Sequence, residues 1–429
     1  MEPTVTLPSY LIPLLDLFAS HGERAYPVGG CVRDTLRGVR PHDWDVAVTT
    51  PPEITQAICA AAGYRVIPTG LKHGTVTILA PRSGNPSDHA GDYSPIECTT
   101  CRTEGGYTDG RHPDAVSFTG CIEDDLSRRD FTVNAMAFDR TENGQITVID
   151  LFGGQADLAA GVIRCVGDPA TRFAEDALRL LRAVRFTVQL GFSLDAHTYN
   201  SMRGHKDGIA RISRERVSEE FQKILCSPNP AGGLKALEGC GLLRQVLPAG
   251  CRGCEMGHPE ELPPEFSLRM AWLLWRQGAA EVAENLASLR LPNTTRDAIT
   301  RLVDSSRISR TRLDPTPCGA RMWRHDWGEL AVPALLVRLA VSDECLYKPD
   351  IERNLLEHVR RSEALGEPVT IAELAINGRD LISLGYRPGP ALKDTLAALL
   401  ETVWQDPAQN TRVHLLAAAQ ARLAQARRN

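Results

Sequence analysis

At 429 residues the chain is too long for one ordinary domain, and 43% hydrophobic side chains are enough for real cores, which excludes a disordered tail or a disulfide-stapled miniprotein. A formal charge of −5 argues against a uniformly basic nucleic-acid binder but leaves room for a local basic groove. No run of roughly 18 apolar residues exists, so no membrane span is expected.

In chain order, the apolar run Leu11 to Phe18 contains Asp16 and has no basic region before it, so it reads as an amphipathic helix and not a leader. The 12 cysteines are then expected to be free thiols of a reducing cytoplasm. Residues 1–150 read as mixed α/β. Strands are expected at Ala25 to Val28, Trp44 to Val48, Thr75 to Leu79, Ile96 to Cys101 and Ile146 to Ile149, with helical segments at Pro52 to Ala62 and Leu126 to Ala135. Gly153 and Gly154 mark a break. From about Asp168 onward only helices are expected. Apolar residues at 173, 177, 180, 181, 184 and 188 make one helical stripe over Phe173 to Leu190. Ser213 opens the next helix, with Val217, Phe221, Ile224 and Leu225 on one face. Pro228, Pro230 and Gly232-Gly233 form another break, and no repeat of fixed period is visible. Cys251 and Cys254 form a C-x2-C pair, but no second pair or spaced histidines follow, so no zinc site is expected.

Within the first unit, Gly29-Gly30-Cys31-Val32-Arg33-Asp34 is followed by Asp43-Trp44-Asp45. Two glycines after a strand let the backbone approach phosphates closely. Residues i and i+2 of a strand share a face, so Asp43 and Asp45 can share cations. A carboxylate pair completed by phosphate oxygens suits Mg²⁺. Alone, a glycine pair is a turn and D-x-D a solvated strand. Their order and close spacing make them a site. Two-metal chemistry usually needs a third carboxylate, and Glu97 at the start of a neighbouring strand is the candidate.

These residues resemble the first motif of the family of class II CCA-adding enzymes and bacterial poly(A) polymerases. Arg128-Arg129-Asp130-Phe131-Thr132-Val133-Asn134-Ala135-Met136-Ala137 resembles its second motif. Asp150 to Leu158 is similar to its hinge motif, Phe173 to Arg179 to its base-recognition motif, and Ser213 to Glu220 to its fifth. The matches run in family order over about half the chain. The resemblance implies an α+β head of the polymerase β-like nucleotidyltransferase type followed by an all-α neck, body and tail. The corresponding boundaries are 1–152, 153–228, 229–350 and 351–429. It also implies CTP and ATP as substrates, Mg²⁺ as cofactor and the 3′ end of an RNA as acceptor, with no membrane partner and room for a homodimer.

In that reaction an RNA 3′-hydroxyl attacks an α-phosphate and pyrophosphate leaves. Positioning and charge stabilisation do most of the work. Asp43, Asp45 and Glu97 are the expected catalytic set, with Asp43 and Asp45 as metal ligands. Gly30 and Arg33 are expected on the triphosphate. By resemblance, Arg129 and Asp130 contact the ribose, and Arg182 and Arg185 lie at the nucleotide. Asp176 and Arg179, read as helical neighbours, are the expected base reader. Aspartate only accepts hydrogen bonds and arginine only donates. Cytosine and adenine each offer an amine beside a ring acceptor, which matches the pair. Uracil and guanine offer the reverse. Glu175, four residues before Arg179, is placed to fix its guanidinium.

For the RNA, Arg301, Arg307, Arg310 and Arg312 cluster, as do Arg360 and Arg361, with Arg422, Arg427 and Arg428 near the end. Such groups can neutralise phosphates. Leu374 to Pro390 (LAINGRDLISLGYRPGP) resembles the C-terminal region of Gram-positive-type CCA-adding enzymes, which points to tRNA. Arg102 to Phe118, with glycines at 105, 106 and 110, looks like the mobile loop that CC adders lack. A-only adders keep it and remain the closest rival. Poly(A) polymerases carry a more basic C-terminal extension. An inactive RNA-binding protein is opposed by the intact Asp43 and Asp45, and a transferase acting on a drug or protein by the long helical remainder. His325-Asp326 lacks the upstream histidine of a phosphohydrolase site.

Overall fold

The computed structural model describes residues 5–71, 74–85, 92–105, 115–141, 143–251, 259–342 and 349–426. They form two compact units, 1–248 and 249–429. No helix among the described residues is long and apolar enough to cross a membrane.

The first unit opens with α1 (Ile12–Ser20), β1 (Ala25–Val28), α2 (Gly30–Leu36), β2 (Trp44–Val48) and α3 (Pro52–Ala61). Then come β3 (Arg65–Gly70), β4 (Thr75–Pro81), β5 (Tyr93–Thr100), β6 (Arg102–Gly105), β7 (Ala115–Phe118), α4 (Ile122–Ser127), β8 (Met136–Arg140) and β9 (Ile146–Asp150). Seven of these strands make one sheet in the order β3-β4-β5-β2-β1-β8-β9. β2 and β5 run parallel, while β1 is antiparallel to both β2 and β8. In β2, Trp44, Val46, Ala47 and Val48 are all buried and only Asp45 stays exposed, so the strand is covered on both faces except at its start, where Asp45 faces out. β6 and β7 form a separate hairpin.

One expectation for this region fails, and the strand β8 was not foreseen. Leu126 to Ala135 is not one helix: α4 stops at Ser127, a short 3₁₀ turn occupies Thr132–Asn134, and β8 begins at Met136. β8 has Met136, Ala137 and Phe138 all buried, so a central strand covered on both faces shows no alternation to read.

The unit continues through α5 (Gly154–Ala160), β10 (Val162–Ile163), α6 (Pro169–Glu175), α7 (Leu178–Leu190), β11 (Ser193–Leu194), α8 (Ala196–His205), α9 (Arg214–Leu225), α10 (Pro230–Gly239) and α11 (Leu243–Val246). The small β10–β11 ladder corrects the expectation of helices only. Gly154 is required where it stands, because a Cβ there would meet the Thr132 carbonyl oxygen at 2.4 Å. The stripe from Phe173 to Leu190 is also not continuous. Asp176 takes extended backbone (φ −139°, ψ 102°) and ends α6, and α7 starts two residues later. α9 begins where Ser213 suggested, and Val217, Phe221, Ile224 and Leu225 are all buried.

The second unit is helical: α12 (Phe266–Leu274), α13 (Ala279–Ser288), α14 (Asn293–Arg307), α15 (Pro317–Trp327), α16 (Ala331–Ser342), α17 (Asp350–Ala364), α18 (Gly378–Ser383), α19 (Pro390–Gln405) and α20 (Arg412–Ala426). A separate apolar cluster, centred on Leu381, Leu399, Leu400, Val403 and Leu415, joins α18, α19 and α20.

Candidate active site

The site starts at the end of β1. Gly29 has φ +80°, and a Cβ there would stand 2.7 Å from Arg129 Nη1, so only glycine lets the backbone turn beneath that guanidinium. The neighbouring strand β2 carries Asp45, and Asp43 stands immediately before its first residue. Next to it, β5 pairs in parallel register so that Asp45 lies opposite Glu97. The strand order thus sets the glycine corner, the two aspartates and Glu97 side by side along one rim. All three carboxylates line a cavity of about 1340 Å³.

Crowding of like charges is visible in Asp45. Its carboxyl is pushed up to about 6, first by desolvation and then by Asp43. Arg129 pulls it back, and Glu97 adds a smaller push. No group of three or more His, Cys, Asp or Glu side chains is close enough to form a ready cation cage among the described residues. Two or three carboxylates that repel one another at an open cavity could hold a hard divalent cation such as Mg²⁺. That ion keeps waters and takes phosphate oxygens rather than a full protein cage.

Around the rim lies a cluster of arginines and acids. Arg128 and Arg129 both bind the buried Asp125, at 2.6 and 3.0 Å. Arg33 is itself buried, with Nε and Nη2 donating to Asp34 and Nη1 to Asn134 Oδ1 at 2.7 Å. Asp130 accepts from Arg182 Nε at 2.7 Å. Burial raises the Asp130 carboxyl, but Arg182 and Arg179 outweigh it and hold the group below the usual carboxylate range. Arg185 pairs with Glu220 at 2.7 Å, and its guanidinium is easier to deprotonate than usual because of desolvation and the nearby Arg182. Three guanidiniums surround one ring: Arg33, Arg182 and Arg185 lie 5.5, 5.4 and 4.3 Å from the centroid of Phe186.

The expected base reader is present but is not a helical pair. Asp176 sits in the break between α6 and α7. One of its oxygens accepts from Leu178 N and the other pairs with Arg216 at 3.2 Å. Arg179 pairs with Glu175 at 2.6 Å, as the spacing suggested, and also donates to the carbonyls of Arg172 and Arg128. A carboxylate has about four acceptor sites and a guanidinium five donors, so both keep capacity for a base.

The rim gathers Gly30, Asp43, Asp45, Glu97 and Arg129, and the buried cluster gathers Arg33, Asp130, Arg179, Arg182 and Arg185 with Asp176 at its edge. Asp125, Asn134, Phe186, Arg216 and Glu220 were missed. Asp125 was findable, since it precedes Arg128 and Arg129 by three and four residues. Asn134 lay inside the second-motif resemblance without being singled out, and Phe186 gave no signal. In the second unit, Arg310 pairs with the buried Glu352 at 3.1 Å and Arg301 lies 5.3 Å from the Trp327 ring centroid, so part of the expected phosphate-binding group is already engaged. Most of the Arg102–Phe118 loop tip, Cys254, Arg427 and Arg428 lie outside the described residues.

Comparison with known proteins bears on this site. A family model described as the poly A polymerase head domain matches residues 25–164. One described as a probable RNA and SrmB-binding site of polymerase A matches 191–252, and one described as a putative tRNA nucleotidyltransferase domain 2 matches 267–419. The chain is similar to the CCA-adding enzyme of Lactiplantibacillus plantarum, 34% identical over 416 residues, 94% of each chain. It is similar to that of Latilactobacillus sakei at 35% over 428 residues, covering 98% of this chain and 100% of the relative. Among solved structures it resembles the Bacillus stearothermophilus CCA-adding enzyme in complex with CTP, with TM-score 0.77, 30% identity, and coverage of 99% and 100%. The Thermotoga maritima CCA-adding enzyme complexed with tRNA shares the fold, with TM-score 0.62 and 21% identity over 98% of this chain and 97% of that one.

Proposed function

This chain belongs to the family of CCA-adding enzymes, and from that premise we propose how its residues share the reaction. It is a tRNA nucleotidyltransferase that extends the 3′ end of tRNA by C, C and A without a template, using CTP and ATP and releasing pyrophosphate. The single observation behind the residue assignment is the register that sets Glu97 opposite Asp45 beside the glycine corner.

Asp43 and Asp45 would hold the divalent ion, which we take to be Mg²⁺, and Glu97 would complete the set. The donor chemistry supports this, because mutually repelling carboxylates at an open cavity gain from a cation. When bound, the ion supplies charge that makes a hydroxyl more acidic and steadies the leaving pyrophosphate. The chain's own groups position the partners. Gly29 and Gly30 let the triphosphate come close to the backbone. Arg129 is held beneath the rim by Asp125. Asp130, kept ionised by Arg182, accepts from the ribose 2′-hydroxyl. Arg33 gives three of its five donors to Asp34 and Asn134 and keeps two for a phosphate. Asp176 accepts from the exocyclic amine of C or A, while Arg179 donates to the ring nitrogen beside it.

The head (1–152) performs the chemistry and the neck (153–228) reads the base. The body (229–350) and tail (351–429) take the rest of the tRNA. Buried free thiols such as Cys31, Cys59 and Cys98 support a cytoplasmic setting, while Cys251 is disulfide-bonded and corrects the expectation that every cysteine is free. The test is a nucleotide-incorporation assay on tRNA lacking its last three bases. Expected is addition of three nucleotides when CTP, ATP and Mg²⁺ are present. Addition of A alone to tRNA ending in CC, with none to the shorter tRNA, would make this an A adder.

A further inference from the structure

Phe186 has no role in the reading above, yet three arginines of the site converge on it. It lies on α7 with 7% of its surface exposed. The guanidinium carbons of Arg33, Arg182 and Arg185 stand over its ring at 5.5, 5.4 and 4.3 Å from the centroid. Phe131, the neighbour of Asp130, meets the same ring edge-on, with centroids 5.8 Å apart and planes at 79°. One ring thus joins α2, α7 and the segment that leads into β8.

Three like charges packed this closely repel one another, and burial strengthens the repulsion. Each arginine has its own carboxylate: Arg33 has Asp34, Arg182 has Asp130 and Arg185 has Glu220. These acids do not quench the crowding. Desolvation and then Arg182 make the Arg185 guanidinium easier to deprotonate than usual, and Arg33 adds a smaller push. A further carboxylate at the hub would quench it, but it would also repel a triphosphate and compete for the N–H donors. The negative face of an aromatic ring attracts cations with no net charge and no oxygen acceptor.

What the ring backs is the nucleotide. Arg33 keeps two donors for a phosphate, and its Nη2 stands 3.6 Å from the place a Cβ on Gly30 would occupy, directly behind the glycine corner. Arg182 donates to Asp130, the acceptor assigned to the ribose. We propose that Phe186 is a positioning residue for the nucleotide, its ring face holding Arg33 behind the triphosphate and Arg182 behind Asp130. The proposal rests on the nucleotidyltransferase reading and deepens it. Triphosphate and ribose are common to CTP and ATP, so Phe186 acts on both alike, whereas Asp176 acts on the base.

The experiment places mono-, di- and trifluorinated phenylalanine at position 186 of the full chain. Fluorine drains the negative face stepwise and leaves the shape of the ring nearly unchanged. Expected is a KM that climbs with each fluorine, equally for CTP and ATP, to about fivefold at the trifluorinated ring. The KM for tRNA should stay within about twofold and kcat should change less than the nucleotide KM, the pattern of binding lost equally in ground and transition states. Phe186→Leu should give at least the trifluorinated effect and also lower the melting temperature. A flat nucleotide KM across fluorinated variants that melt like wild type overturns the proposal. So does a rise confined to variants that have lost thermal stability, or one shared by the KM for tRNA. If wild type incorporates no nucleotide, the functional reading fails and this one falls with it. If wild type is active and fluorination changes nothing, the role of Phe186 alone is wrong.

Discussion

Asp45 and Asp130 are the same residue type in the same unit, yet their surroundings push them in opposite directions. Asp45 faces a cavity beside Asp43 and Glu97, and its carboxyl rises to about 6. Asp130 is buried, and Arg182 and Arg179 overcome the effect of burial and hold it low. The difference separates two kinds of work. Crowded carboxylates that stay open are a site waiting for positive charge. A buried carboxylate already matched by arginines is a fixed hydrogen-bond acceptor, useful for placing a ribose rather than for holding a metal.

The comparison breaks first at the rim. Asp43→Ala or Asp45→Ala should lower incorporation of both C and A by at least about a thousandfold, roughly 4 kcal/mol of barrier, with tRNA affinity nearly unchanged. Substantial Mg²⁺-dependent turnover by either variant would remove the metal site from these residues. The same variants should stabilise the folded chain slightly when no divalent ion is added, since each relieves the repulsion raising Asp45.

In the buried cluster the first consequence is for the fold. Glu220→Ala strands the Arg185 guanidinium, and removing one partner of a buried pair costs about 3–5 kcal/mol. Urea unfolding of wild type and variant measures this. A midpoint unchanged within error would show that Arg185 finds water or another acceptor. Acid gives a milder probe of the same cluster. The folded values of Asp125 and Asp130 lie below the ordinary carboxylate value of about 3.9. Their stabilisation is therefore complete above that value and is lost as pH falls from it toward the depressed folded values. With no divalent ion, unfolding midpoints should rise slightly from pH 7 to about pH 5 as Asp45 takes up its proton, then drop below about pH 4 as Asp125 and Asp130 are protonated, and Asp130→Asn should flatten part of that drop.

These contrasts also explain what could be read from sequence. The D-x-D spacing sufficed to bring Asp43 and Asp45 to one cavity, although only Asp45 lies in β2 and Asp43 just precedes it. Glu97 followed from needing a neighbouring strand, and the register met that need. The buried cluster was far less legible. Asp130 and Arg182 stand 52 positions apart and Asp176 and Arg216 stand 40 apart, so no periodicity links them. The break at Asp176 was hidden because Phe173 and Ala177 on either side of it fit the helical stripe. What opposes the stripe is local chemistry: the aspartate side chain bonds to Leu178 N and starts a new helix instead of continuing the old one.

That break sharpens the smallest expected effect, in base selection. Asp176→Ala removes an acceptor for the amine of C or A, and with it the repulsion toward the carbonyl of U or G. Arg179 stays anchored by Glu175 and the Arg128 carbonyl, so it can still donate to a carbonyl oxygen. Incorporation of U should therefore rise relative to C while the overall rate falls, because the base is held less well. Asp176 also caps α7 and anchors Arg216, so truncation alone confuses reading with folding. Asp176→Asn separates them. Its carbonyl still accepts from Leu178 N, while its amide can donate to a uracil carbonyl. The measurement is the ratio of turnover efficiencies for UTP and CTP on one truncated tRNA. Asn should raise that ratio at least as much as Ala, with a smaller loss of thermal stability. If both ratios stay within about threefold of wild type, under roughly 0.7 kcal/mol, Asp176 is a structural cap. The selecting carboxylate would then have to be sought at Glu175, at the end of α6.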